Sequence, residues 1–231
     1  MVAFPCCALT PTAKTVTMET TIKKDQIILL CETRFLSLYD LQYAAGKHYF
    51  NVSRRNAENL MFRKSTEEFK NATADAATIV TVLHIKDREP LLVLSYEYRY
   101  PAGQFLLSPP AGLIDPEDGV GEDALITASK RELFEELGIT FTEKDSVAII
   151  NPLLFSSPGM TDESNALMLA EIYRDELPQL KQDGAVGTEL FDGYVLLTVE
   201  DAGRILKQGK DDKGIFYSVY TWAALHYFVS L

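Results

Sequence analysis

Long apolar runs are missing. No window of the 231 residues approaches the roughly 18 consecutive apolar positions that a membrane-spanning helix takes, and the most apolar stretches, such as "LLVLSYE" at 91–97, are strand-sized and end in charge. A basic excess is missing as well. Against 22 Lys and Arg stand 33 Asp and Glu, for a net charge of −11, so the chain has no basic stripe to follow a nucleic-acid backbone, and an anionic small substrate would need metal ions or local arginines. Cysteine is scarce. The 3 present, an adjacent pair at Cys6 and Cys7 and a lone Cys31, form neither a zinc spacing nor a disulfide framework, and a reducing cytoplasm is the expected location. The opening "MVAFPCCALTPTAKTVT" lacks a basic leader, and its apolar run is short and broken by proline. Residues 1–17 are therefore expected to be a disordered tail, with Met18 as the true start; lipidation of the paired cysteines is the weaker alternative.

What is present is ordinary globular material, 47% hydrophobic and 24% charged, enough for one good core and a small accessory unit. Residues 27–43 read as a strand, followed by a turn at Gly46 and a second strand, "KHYFNVSRR". The polar stretch 56–75, with a short helix at "NAENLMFRK", reads as a connection. Then "ATIVTVLHI" and "LLVLSYEYRYP" form a hairpin about the charged turn "KDREP". A short strand and a proline-rich loop, "QFLLSPPAGLI", lead into a helix over "EDALITASKRELFEEL", with acids in its first turn and Gly138 as its stop. Strands follow at "SVAIINPLLF", "ALMLAEIY" and "ELFDGYVLLT", then helices at 199–209 and 215–231. The expectation is an α+β fold with strands before and after one central helix, in two units: 18–75, a β-unit with its connection, and 76–231.

The central helix carries the most informative pattern. In "RELFEELGI", Glu132, Glu135 and Glu136 project within an arc of roughly 100°, while Ile126, Ser129, Leu133 and Leu137 line a different, core-facing stripe. An exposed acidic face is the plain alternative, since charge runs usually only solvate a helix. Arg131 sits four residues before Glu135 and can hold it, leaving the other carboxylates for a hard cation such as Mg²⁺ or Mn²⁺ that keeps substrate phosphates among its ligands.

"RELFEELGI" after "PPAGLID" resembles the Nudix hydrolase box. Arg131, Glu132, Leu133, Glu135, Glu136, Gly138 and Ile139 match its second half at every position. In the first half, Gly112 precedes Arg131 by 19 positions, about five more than the pattern takes, so the loop "DPEDGVGED" is longer, and either Glu122 or Asp123 stands for the box's first glutamate. Further stretches, "ETRFLSLYDLQY", "KHYFNVSRR", "EYRYPAGQFLLSPPAGLID" and "SSPGMTDE", are similar in order and spacing to the ADP-ribose pyrophosphatase branch. Ser108 stands where that branch usually carries a glutamate.

The resemblance implies a mixed sheet sandwiched by helices, preceded by a small antiparallel β-unit, and Mg²⁺- or Mn²⁺-dependent hydrolysis of the diphosphate of ADP-ribose or a related nucleoside diphosphate sugar. It implies Glu132, Glu135, Glu136 and the Ala111 carbonyl as metal ligands, with Arg131 orienting Glu135. The general base it implies is a loop carboxylate: Glu189, with Asp192 three residues on and Gly184 and Gly187 as hinges, or else Glu163. Tyr49 and Arg54 would meet the nucleotide, Arg99 a phosphate, and Gly159 and Met160, in the later active-site loop, would bind substrate as well. As packing alternatives, Tyr49 is a cross-strand neighbour and Arg99 a surface charge. The N-terminal strands would complete each site across a twofold homodimer. His48, His84 and His226 share no spacing and read as structural. The alternatives are another nucleotide substrate, such as NADH or another sugar nucleotide, accommodated by the longer loop, and a non-catalytic Nudix domain that senses a nucleotide sugar.

Overall fold

The computed structural model describes residues 22–182 and 189–231. The tail 1–17, the start at Met18, Cys6, Cys7 and the hinge glycines 184 and 187 lie outside the described residues. No helix among those described is long and apolar enough to cross a membrane.

The chain opens with a three-stranded antiparallel sheet, β1 (Ile27–Glu32), β2 (Ser37–Ala44) and β3 (Lys47–Ser53), in the order β1-β2-β3. The single strand expected over 27–43 is in fact two. Thr33 breaks it: its hydroxyl oxygen accepts from the N–H groups of Phe35 and Leu36 at 3.3 and 2.9 Å, a side-chain turn that an apolar pattern does not reveal. The β2–β3 hairpin closes at Gly46, whose φ of 66° is costly for any residue with a Cβ. Within 56–64 the chain forms a turn at 57–59 and a 3₁₀ turn at Met61–Arg63, and the helix of the connection comes later, as α1 (Thr66–Lys70), where Ser65 and Glu68 make a reciprocal capping box.

The main sheet has seven strands: β4 (Ala76–Ile85), β5 (Leu91–Arg99), β6 (Gln104–Ser108), β7 (Ala111–Leu113), β8 (Ser146–Phe155), β9 (Ser164–Arg174) and β10 (Phe191–Leu197). Its order is β10-β5-β4-β9-β8, with β6 on β5 and β7 on β4; β4 and β9 run parallel over ten residue pairs and the other pairings are antiparallel. Alternation along β4 serves two cores. Ile79 and Leu83 pack under α2 (Gly121–Leu137) with Leu125, Leu133 and Leu137. Val80 and Val82 pack against α3 (Val199–Gln208) and α4 (Val219–Ser230) through Ile205, Leu225 and Phe228. The result is a mixed sheet sandwiched by helices. The last helix starts at Val219, not at residue 215, where Ser218 accepts from the Thr221 N–H as its cap.

The small sheet is joined to the 157–163 loop by polar contacts. The Val52 N–H donates to the Met160 carbonyl at 3.0 Å and the Tyr49 hydroxyl to the Gly159 carbonyl at 2.9 Å. Arg55 reaches Asp75 at 2.6 Å and the Asp162 carbonyl at 2.9 Å. These bonds set the β-unit beside the loop that joins β8 to β9.

Candidate active site

Helix α2 ends where its glycine was expected to end it. Gly138 adopts φ 68°, and its N–H and that of Ile139 return to the carbonyls of Phe134 and Leu133. Leu133 and Leu137 are fully buried in the core, which turns the adjoining stripe, Glu132 and Glu136, inward. These two carboxylates are only 6% and 4% exposed, so the solvated-face reading does not hold for them. Glu136 Oε1 lies 3.4 Å from the Ala111 N–H, and Glu132 lies on Gly112, where an added Cβ would meet its Oε1 at 1.8 Å.

Arg131 is the centre of the cluster. Its guanidinium donates to Glu132 at 2.6 Å and to Glu135 at 3.2 Å, so it holds both residues and not Glu135 alone. It also donates to the Leu113 carbonyl at 2.8 Å and, in a fork, to both oxygens of Asp118 at 3.2 and 3.0 Å. Asp118 corrects the expectation for the longer loop. Glu122 and Asp123 are exposed in the first turn of α2; the acid that meets the box arginine comes from the 3₁₀ turn Pro116–Asp118 and is 7% exposed. Hydrogen bonding to Arg131 holds the Asp118 carboxyl below the usual carboxylate range.

Burial has the opposite effect on the helix acids. It pushes Glu132 up to about 7 against the pull of Arg131, with Glu135 and Glu189 adding to the rise. Glu136 is raised well above its ordinary value by burial and then by Glu97, with smaller contributions from Glu132 and Glu189. Glu97, on β5, is itself raised by burial and by Glu189 against the pull of Arg99. Four carboxylates from β5, α2 and the approach to β10 thus share one field.

In front of them opens a cleft of about 650 Å³ whose wall includes Ala111 and Gly112, the backbone on which Glu136 and Glu132 rest. Of the residues expected in the site, Arg54, Arg99, Glu163 and Glu189 also line it. Arg54 is bonded to Glu163 at 2.8 Å, and Arg99 is ion-paired with Glu97. Tyr49 and Met160 are not in the cleft wall. They are exposed, and the Tyr49 hydroxyl donates to the Gly159 carbonyl in the loop that carries Met160. Asp192, offered beside Glu189, is instead paired with Lys213 at 3.0 Å. None of residues 114–121 lines the cleft among those described, so the longer loop acts on Arg131 and not on the pocket wall. The histidines lie apart: His48 bonds Asp40, His84 stacks on Tyr173 and His226 lies against Trp222.

The donor set is all oxygen, which suits a hard divalent cation, and Gly112 leaves room for Glu132 at the floor. Among the described residues no three acidic, imidazole or thiol groups are already closed about one point, because Arg131 draws Glu132 and Glu135 to itself. Two residues here escaped the motif. Asp118 is a lone acid in a loop without periodicity, and Glu97 sits in a strand whose residues 91–96 read as an apolar run; the only available signal for Glu97 was its even spacing from Val93 and Ser95.

No family model matches the chain. It is 35% identical over 101 residues to an uncharacterised Nudix hydrolase of Schizosaccharomyces pombe, covering 44% of each chain. It is 34% identical over 99 residues to the ADP-ribose pyrophosphatase of Saccharomyces cerevisiae, covering 42% of this chain and 39% of that one. With the ADP-sugar pyrophosphatase of Mus musculus the identity is 29% over 132 residues, covering 57% and 56%. The matches span less than half the length of the first of these curated relatives. In structure it is similar to a crystallised ADP compounds hydrolase, with a TM-score of 0.53 at 18% identity over 87% of this chain and 88% of that one. That likeness is one of fold.

Proposed function

We propose that the chain, which is similar in sequence to Nudix hydrolases and ADP-ribose and ADP-sugar pyrophosphatases and in fold to an ADP compounds hydrolase, hydrolyses the diphosphate linkage of ADP-ribose or a related nucleoside diphosphate sugar. The products are a nucleoside monophosphate and a sugar phosphate. The observation that carries this reading is the arrangement of Arg131, Glu132, Glu135 and Glu136 directly behind the Ala111–Gly112 wall of a cleft that also presents Arg54 and Arg99.

Glu132, Glu135, Glu136 and the Ala111 carbonyl would hold Mg²⁺ or Mn²⁺, which supplies neutralisation of phosphate oxygens and a more acidic bound water. Arg131 fixes the rotamers of Glu132 and Glu135, and Asp118 fixes Arg131 in turn. Glu189 takes the proton of the attacking water. Between the two carboxylates considered for this role, Glu163 is held by Arg54 at 2.8 Å, whereas the charge of Glu189 bears on Glu97, Glu132 and Glu136 together. Arg99 meets a phosphate. Arg54, with Tyr49, Gly159 and Met160, receives the nucleoside half.

A homodimer is supported by the apolar surface of the small sheet, where Ile28, Leu29, Leu30 and Phe50 are 40–55% exposed. The test of the function is release of monophosphate from ADP-ribose, NADH, sugar nucleotides and nucleoside triphosphates, with Mg²⁺, with Mn²⁺ and with chelator. Metal-dependent cleavage of ADP-ribose or an ADP-sugar above the others is the expected result. Binding of nucleotide sugars without turnover of any compound would overturn the proposal in favour of a sensor.

A further inference from the structure

Strand β5 brings to the site a carboxylate that the helix motif does not contain. Val93, Ser95 and Glu97 share one face of β5 by alternation, and Val93 packs in the same core as Leu133 and Leu137 of α2. Opposite Ser95 in register stands Tyr194, whose hydroxyl donates to the Glu136 carbonyl at 3.0 Å. Glu97, one pleat further on, lines the cleft together with Ala111, whose N–H meets the Glu136 carboxylate.

This wall has polar capacity that the protein itself leaves unused. Ser95 is 1% exposed and its hydroxyl has no hydrogen-bond partner, although it faces the side on which the carboxylates gather. Its cross-strand neighbour Ser108 brings no carboxylate, and its hydroxyl reaches only the Leu106 carbonyl at 3.3 Å. The charge partner of Glu97 is Arg99, two residues along the same face at the strand end.

We propose that Glu97 and Glu136 flank a divalent-cation position on the cleft side of α2, and that Arg99 holds Glu97 only until a cation takes it. A carboxylate that has become a ligand of a divalent ion no longer favours a guanidinium beside it, so loading releases Arg99 toward the cleft, where an anionic diphosphate would be received. Cation and Arg99 therefore compete for Glu97. The second half of this exchange rests on the hydrolase reading; the competition does not.

The test is Mn²⁺ binding by calorimetry without nucleotide, on the full chain and on Glu97→Gln, Arg99→Ala and the double variant. Glu97→Gln weakens Mn²⁺ binding by about tenfold or more, the scale of losing a supporting ligand. Arg99→Ala tightens it severalfold, and the double variant loses that gain. Since Arg99 sits with its side chain 47% exposed at a strand end, its variant carries the test even if Glu97→Gln fails to fold. Unchanged affinity in Glu97→Gln, or unchanged or weaker affinity in Arg99→Ala, overturns the competition. Failure of the substrate panel with these binding shifts intact would strike the hydrolase reading alone.

Discussion

A Cβ placed on Gly112 would stand 1.8 Å from Oε1 of Glu132 and 2.0 Å from its carboxyl carbon. The strand backbone and the helix carboxylate occupy adjoining space that only glycine leaves open, and the reason is contact, since Gly112 is absent from the positive-φ glycines. Alanine there has to expel the carboxylate. Gly112→Ala is therefore expected to reduce Mg²⁺-dependent turnover by about tenfold or more, with a parallel loss of Mn²⁺ affinity, while the circular dichroism of the sheet and helices stays native. Unchanged metal affinity would show that Glu132 is not held by this floor.

The two loop acids separate by their partners. Glu189→Gln is expected to lower kcat by about 10²-fold or more, the usual worth of a positioned general base. Glu163→Gln releases Arg54, so its main effect is on KM, with kcat falling less than about tenfold. The assignment of the base fails if the two variants exchange these signatures in the pH–rate profile and in kcat.

Far from the cleft, Asp145 ties the start of β8 to the end of β9. Its side chain is fully buried and accepts from the N–H and hydroxyl of Thr142 at 2.7 and 3.0 Å, from the Tyr173 N–H at 2.9 Å, and from Arg174 at 2.8 and 2.9 Å. Burial pushes its carboxyl up, but the Tyr173 and Thr142 N–H groups and the Arg174 guanidinium outweigh it and hold it below its usual range. A depressed carboxyl contributes stability that is complete above the unfolded value near 4 and is lost as pH falls through the folded one. Asp145→Asn should cost ~2–3 kcal/mol at pH 7 and lower Tm by about 5–10 °C, leave kcat unchanged, and approach the wild type in stability only under acid. A melting curve at pH 7 that matches wild type would remove Asp145 from the stabilising network.

Those residues also show where a sequence is readable. Helix α2 could be placed because apolar positions at helical spacing and a terminal glycine are local signals, and β8 was placed to the residue because an apolar run is bounded by charge and serine. The second half of the box was legible for the same reason. Asp118 was not, because its partner Arg131 is 13 residues away across a turn. The Arg54–Glu163 pair joins residues 109 apart and depends on how the small sheet docks, which no local pattern encodes. Glu97 escaped because alternation in a strand marks a face without saying whether that face meets core, solvent or a site.

The buried glutamates also determine how stability should vary with pH when no cation is bound. Burial carries Glu132 from the ordinary value of 4.5 up to about 7, and Glu136 is raised well above 4.5 as well. The folded state then binds protons more tightly than the unfolded chain, so the contribution of Glu132 is fully present below about pH 4.5 and is lost as pH rises through about 7, and that of Glu136 is lost in the same direction, with rising pH. Asp118 and Asp145 titrate below this window, and their contributions are constant within it. In chelator, Tm is therefore expected to fall between about pH 5 and pH 8, and Mg²⁺ or Mn²⁺ should restore it most at the upper end, where Glu132 is charged and its proton no longer has to be displaced. Glu136→Gln, which replaces the repelled charge with a neutral amide, should flatten the fall and abolish most of the rescue. A chelated protein whose Tm is level across that range, with rescue equal at both ends, would mean that the helix carboxylates are solvated in solution and do not form a buried cation site.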